Sequence, residues 1–181
     1  SAWRWKSAAA RSVDPARLPI HDRFWLAAAS EGGALLDRFG IGLAILPETL
    51  IGPRKLSALA TRGKWTLAAL PVKPVASVLR GSKWVVDSDD TMGLMYPGGG
   101  GTGVLPGSVV LKGSGDARPD RGPPIACAIQ TWHEGAIDLS CPGPGYAVVS
   151  SSPHDGWEAA IDGEPTDWLV ADVLRRAVEI P

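Results

Sequence analysis

Near the C-terminus, Asp162-Gly163 separates two strand-like runs, Trp157-Glu-Ala-Ala-Ile161 and Glu164-Pro-Thr-Asp-Trp168. A type I′ turn needs positive φ at both central residues, and Asp-Gly is among the pairs that tolerate it, so the dipeptide predicts a tight hairpin. With 162 and 163 as the turn, Ile161 faces Glu164, Ala159 faces Thr166, and Trp157 faces Trp168. The two tryptophans then form an opposed cross-strand pair, worth roughly 0.2–1 kcal/mol beyond Ala–Ala. Turn signals run through the rest of the chain as well. Its 22 glycines and 16 prolines among 181 residues are too many for a helical bundle and fit turn-rich β structure.

The ordered string around this hairpin carries a resemblance. An apolar strand, serine, proline, Gly156-Trp157, a short apolar stretch, Asp162-Gly163, Ala171, Arg176-Ala177-Val178 and Pro181 follow one another. This resembles the C-terminal soluble part of bacterial YfhO-like membrane proteins, large polytopic proteins related to lipid-linked-sugar glycosyltransferases. Two departures stand out. His154 and Asp155 intervene after Pro153, where the family usually places proline directly before Gly-Trp, and the chain stops at Pro181, where the family continues into a last strand. Residues 35–80 also resemble the family in order: leucine-rich helix, Phe-Gly-Ile, apolar strand, short helix, glycine, then two strands ending in arginine. Residues 1–30 show no resemblance.

The bulk numbers set bounds. A chain of 181 residues suits one ordinary domain or two small ones and buries on the order of 70% of its unfolded surface. A net charge of −1 gives no electrostatic case for nucleic acid or an anionic membrane surface. No segment approaches the ~18 apolar residues of a membrane span. No signal peptide is visible, and Ser1 reads as a remnant ahead of a fragment.

The two cysteines fall on neighbouring predicted strands, Pro124-Ile-Ala-Cys-Ala-Ile-Gln-Thr-Trp132 and Ala136-Ile-Asp-Leu-Ser-Cys141, joined by His133-Glu134-Gly135. That loop sets Ile129 opposite Leu139 and Cys127 opposite Cys141, with the odd-numbered side chains on one apolar face. The pair reads either as a disulfide in an oxidising compartment, stabilising by ~3 kcal/mol, or as two buried thiols. The spacing excludes a Cys-x-x-Cys metal or redox site.

Elsewhere, residues 1–20 alternate Trp3 and Trp5 with cations and alanines. They read as a loosely packed terminus, or as a membrane-interface belt if a span precedes them. Residues 22–39 read as helix, with Asp22 as N-cap, Gly40 as stop and a break at Gly32-Gly33. Ile41–Leu46 predicts a strand buried on both faces, Arg54–Thr61 a short helix, and 64–70 and 75–79 two further strands. Trp84–Gly107 reads as a linker or surface loop. Its Pro97-Gly-Gly-Gly-Gly-Thr-Gly103 lacks the Lys-Ser/Thr of a phosphate loop. Its Asp87–Asp90 cluster lacks the glycine and distal glutamate of a calcium-binding EF-hand loop and reads as a solvated turn.

Chemistry is sparse. His21, His133 and His154 lie in different segments at turns, and nothing pairs them into a triad or metal site. Ser150–Ser152 make no strained nucleophile elbow, and Glu158, Asp162 and Glu164 read as turn and strand-surface residues rather than a glycosidase pair. Tryptophan remains, eight residues in all. Aromatic rings on a β-sheet stack on sugar faces, so Trp132, Trp157 and Trp168 are the candidate ligand-binding residues, against the commoner role of packing.

The expected fold is therefore α+β: a small α/β layer over residues 1–95, a Gly/Pro-rich connection over 96–123, and an antiparallel β-sandwich part over 124–181. The resemblance implies a non-catalytic extracytoplasmic domain of a polytopic bacterial membrane protein. Its partners are then the membrane-spanning part of its own chain and a glycan or lipid-linked sugar. Any sugar transfer would take place in the membrane part, and no cofactor, metal or nucleic acid is expected. The alternatives are a free-standing secreted carbohydrate-binding β-sandwich and a hydrolase whose active site the residues do not reveal.

Overall fold

The runs Ala76–Leu79, Ser108–Lys112 and Gly145–Val149 are rich in β-branched and small apolar residues, with the exposed Lys112 as their one charge, and all three become inner strands of one sheet. The computed structural model describes residues 38–39, 42–51, 56–70, 74–95, 107–133, 136–151 and 156–181. In chain order the strands are β1 (Leu43–Pro47), β2 (Ser57–Arg62), β3 (Trp65–Ala69), β4 (Ala76–Leu79), β5 (Gly81–Val85), β6 (Ser108–Lys112), β7 (Ile125–Ala126), β8 (Ala128–His133), β9 (Ala136–Ser140), β10 (Gly145–Val149), β11 (Ala159–Ile161), β12 (Glu164–Thr166), β13 (Leu169–Ala171) and β14 (Arg175–Ile180). An α-helix, α1 (Ser88–Met95), lies between β5 and β6, and a 3-10 turn, Glu48–Leu50, follows β1. The fold is β-rich, with several antiparallel sheets.

The seven-stranded sheet runs β5-β6-β13-β14-β10-β4-β7, antiparallel except for the parallel β5–β6 pair. Register sorts its two faces, because directly opposed residues point the same way. Tyr146 pairs with Leu79, Val148 with Ala177, and Ala171 with Leu111, and these six cluster with Val109 on one buried face. The other face gathers Ala76, Val78 and Cys127 with Leu139, Cys141, Val149 and Ile180. Fully burying one such aliphatic side chain stabilises by about 1.5–3 kcal/mol, so the sheet holds most of the core.

A disulfide joins Cys127 and Cys141. It ties the β8–β9 hairpin to this second face. Ile129 does oppose Leu139, but the ladder shifts by one residue between Ile129 and Thr131, so His133 pairs with Ala136. Gln130 is thus an extra, bulged residue, and the connection is two residues rather than the expected three.

Three readings need correction. Residues 57–62 are strand, not helix: β2 pairs with β3, and the register slips between Ala58 and Ala60. That bulge at Leu59 puts the apolar residues out of period-2 phase and imitates helical spacing. The run at 41–46 is not buried on both faces, since Leu43 and Ile45 of β1 are exposed. Trp84–Gly107 is not simply a loop. Trp84 and Val85 end β5, and the carboxylate of Asp87 accepts the Asp90 N–H at 3.0 Å, capping α1. The expected helix at 22–39 lies outside the described residues except for Arg38 and Phe39, as do residues 1–20 and the glycine run at 97–103.

The smaller sheet, β1-β3-β2, inverts the usual alternation. Thr66 and Ala68 of β3 are buried, whereas Trp65, Leu43 and Ile45 face outward. Pro47 opposes Trp65 and Ile45 opposes Leu67, so the large residues share one face.

Candidate functional site

The Asp162-Gly163 hairpin forms as the dipeptide predicts. Asp162 has φ 51° and Gly163 φ 89°, and Ile161 pairs with Glu164, Ala160 with Pro165, and Ala159 with Thr166. The ladder covers only these three pairs. Beyond it the two tryptophans meet through a hydrogen bond: the Trp168 indole N–H donates to the Trp157 carbonyl at 2.9 Å. That bond fixes the Trp168 ring relative to the Trp157 backbone where the ribbon opens.

At this opening lies a groove of about 680 Å³, walled by Trp157 and Trp168 with Glu158, Pro165, Thr166 and Asp167. Its chemistry is two half-buried aromatic rings beside two exposed carboxylates. Ionised carboxylates are pure acceptors, so the wall suits a ligand that brings hydroxyl or ammonium donors and apolar C–H faces. It disfavours an anion. Trp132, the third candidate ring, is elsewhere: it lies on β8, opposite Ile137 in the cysteine hairpin.

Trp157 is backed by a cation that sequence reasoning did not assign a role. The Arg176 guanidinium lies 3.8 Å from the Trp157 ring centroid, and its Nη2 donates to Ser151 Oγ at 2.6 Å. Both residues are buried. Burial pushes the Arg176 guanidinium down to about 10, so it stays charged at neutral pH. A desolvated cation against a tryptophan face contributes about 2 kcal/mol and holds the ring in place. No local signal announces this contact, because Trp157 and Arg176 come together only through the pairing of β14 in the large sheet.

One residue earlier, Arg175 belongs to a different cluster. The Asp172 carboxylate accepts from Arg175 Nη1 at 3.0 Å, from Arg38 Nε at 2.9 Å and from the Val110 N–H at 2.9 Å. Asp172 is fully enclosed. Burial pushes Arg175 down to about 10 against the opposing pull of Asp172. With no open wall, this cluster fastens β6, the β13–β14 turn and Arg38 together, and is structural.

Among the described residues no three His, Cys, Asp or Glu side chains converge on a metal-sized site. His133 is an exposed strand-end residue, whereas His21 and His154 lie outside the described residues. No family model, curated protein or solved structure matches the chain.

Proposed function

We propose that this chain is a glycan-binding, non-catalytic extracytoplasmic domain of a polytopic bacterial membrane protein similar to the YfhO-like, glycosyltransferase-related proteins. The observation that carries the binding role is the groove where Trp157 and Trp168 converge beside Glu158 and Asp167. Sugar rings present C–H faces to aromatic side chains and hydroxyl donors to carboxylates. The two carboxylates favour neutral and amino sugars over uronic acids. The disulfide supports an oxidising, extracytoplasmic compartment. Any sugar transfer belongs to the membrane part of such a protein, and this domain would hold or present the glycan or lipid-linked sugar. The same reading keeps an α/β layer before residue 95 and a sandwich arrangement over 124–181.

Tryptophan fluorescence titrated with neutral, amino and acidic oligosaccharides tests the binding role. A saturable change with neutral or amino sugars, lost in Trp168→Ala, supports it. A panel without response, or one in which Trp132→Ala is as damaging as Trp168→Ala, argues for bracing or for a different surface.

A further inference from the structure

The outward face of the β1-β3-β2 sheet carries more apolar surface than an isolated domain needs to show. Leu43 is 58% exposed, Ile45 69% and Trp65 47%, all on one side by register, and Leu59, at the β2 bulge, is 57% exposed. A sheet with one solvated face normally turns its large apolar residues inward, yet here Thr66 and Ala68 take the inner positions. A single exposed leucine needs no explanation, but a contiguous apolar face on paired strands marks a surface that something covers.

Charge identifies what. Between Thr49 and Val86 the chain has seven lysines and arginines and no aspartate or glutamate. Residues 87–181 hold fourteen acids against five of these cations, so the overall charge of −1 conceals a segregated chain. Two of the seven cations border the apolar face. Arg62 opposes Trp65 across the β2–β3 ladder, and the Lys64 ammonium lies 5.9 Å from the Trp65 ring centroid. Aliphatic side chains beside a tryptophan and flanking Lys/Arg are the composition of a bilayer interface, with the ring at headgroup depth and the cations on phosphates. A second copy fits less well, since two-fold pairing of this face brings both sets of cations to one seam.

We propose that this sheet face docks on a lipid bilayer surface and selects anionic headgroups through Arg62 and Lys64. The inference stands apart from the saccharide groove, which belongs to a different sheet.

Co-sedimentation of the full 181-residue chain with vesicles of phosphatidylcholine alone, and of phosphatidylcholine with phosphatidylglycerol, tests it. Binding is expected to the anionic vesicles, weakening as salt rises. The double change Arg62→Glu/Lys64→Glu should lower partitioning at least about thirtyfold, given the usual contribution of each cation near an anionic surface. Quenching by brominated lipid should fall in Trp65→Phe. Ile45→Asn, at the most exposed of the four apolar positions, serves as a second variant should the charge reversal impair folding. The saccharide response of either variant should persist, which separates failure of this surface from failure of the groove. Absence of binding to anionic vesicles, equal binding by the variants, or a dimer in sedimentation equilibrium that Ile45→Asn dissociates would each overturn the proposal.

Discussion

Arg175 and Arg176 are consecutive, yet they serve opposite faces of one sheet. Arg175 Nη1 reaches Asp172 at 3.0 Å, whereas the Arg176 guanidinium lies 3.8 Å from the Trp157 ring centroid. Strand alternation in β14 dictates the split. One cation fastens the core, and the other supports the groove. Substitutions at the two sites should therefore separate stability from binding.

Asp172→Asn removes the charge between Arg38 and Arg175 while keeping a residue that tolerates φ 46°. The buried Arg175 guanidinium and the partly buried Arg38 would lose their counter-charge, at a cost of about 3–5 kcal/mol. Urea unfolding should show a lower midpoint with an unchanged slope. A loss below about 0.5 kcal/mol would mean that the cluster behaves as a solvated surface pair.

Arg176→Ala should cost about 2 kcal/mol from the lost ring contact and weaken saccharide binding, because the Trp157 ring then loses the cation stacked on it. Arg176→Lys keeps the charge but not the planar stacking surface, so it should recover stability better than affinity. Paired urea curves and fluorescence titrations measure both. Equal recovery of the two quantities would argue against a positioning role.

Gly163→Ala places a side chain at φ 89°, where L-residues rarely sit. A destabilisation of about 1–2 kcal/mol is expected, concentrated in the ribbon. Amide exchange should accelerate at Ala159–Thr166 before it does in β10 or β14. Uniform acceleration across all strands would show that the ribbon is not a separate unit.

Replacing both cysteines by serine opens a loop with a sequence separation of 14. The expected cost is about 3 kcal/mol, with β8 and β9 losing exchange protection first because their link to the second face is gone. Equal stability of the oxidised and double-serine proteins would contradict a structural role for the bond.

What the residues announced was local. Asp-Gly named its own turn, and opposing the two cysteines across a short connection was enough to place them together. The slip at Gln130 was hidden because a bulge leaves both flanking alternations intact. A bulge at Leu59 did more harm, turning an exposed strand into something spaced like a helix. Non-local pairings were not legible. The parallel β5–β6 ladder, the Arg38–Asp172 bond across 134 positions and the Arg176–Trp157 stack depend on sheet order, which no short window contains. Net charge is equally blind to arrangement, because a sum erases the separation of cations from acids along the chain.

The indole N–H resonances offer the most direct measure of whether the groove receives sugar. Trp168 Nε1 is bonded to the Trp157 carbonyl at the groove, whereas Trp84 Nε1 is bonded to the Asp116 carbonyl away from it. In 1H–15N spectra titrated with a neutral oligosaccharide, the Trp157 and Trp168 signals should move along a saturable curve while that of Trp84 stays fixed. Unmoved Trp157 and Trp168 signals across neutral and amino sugars would contradict a glycan-binding domain.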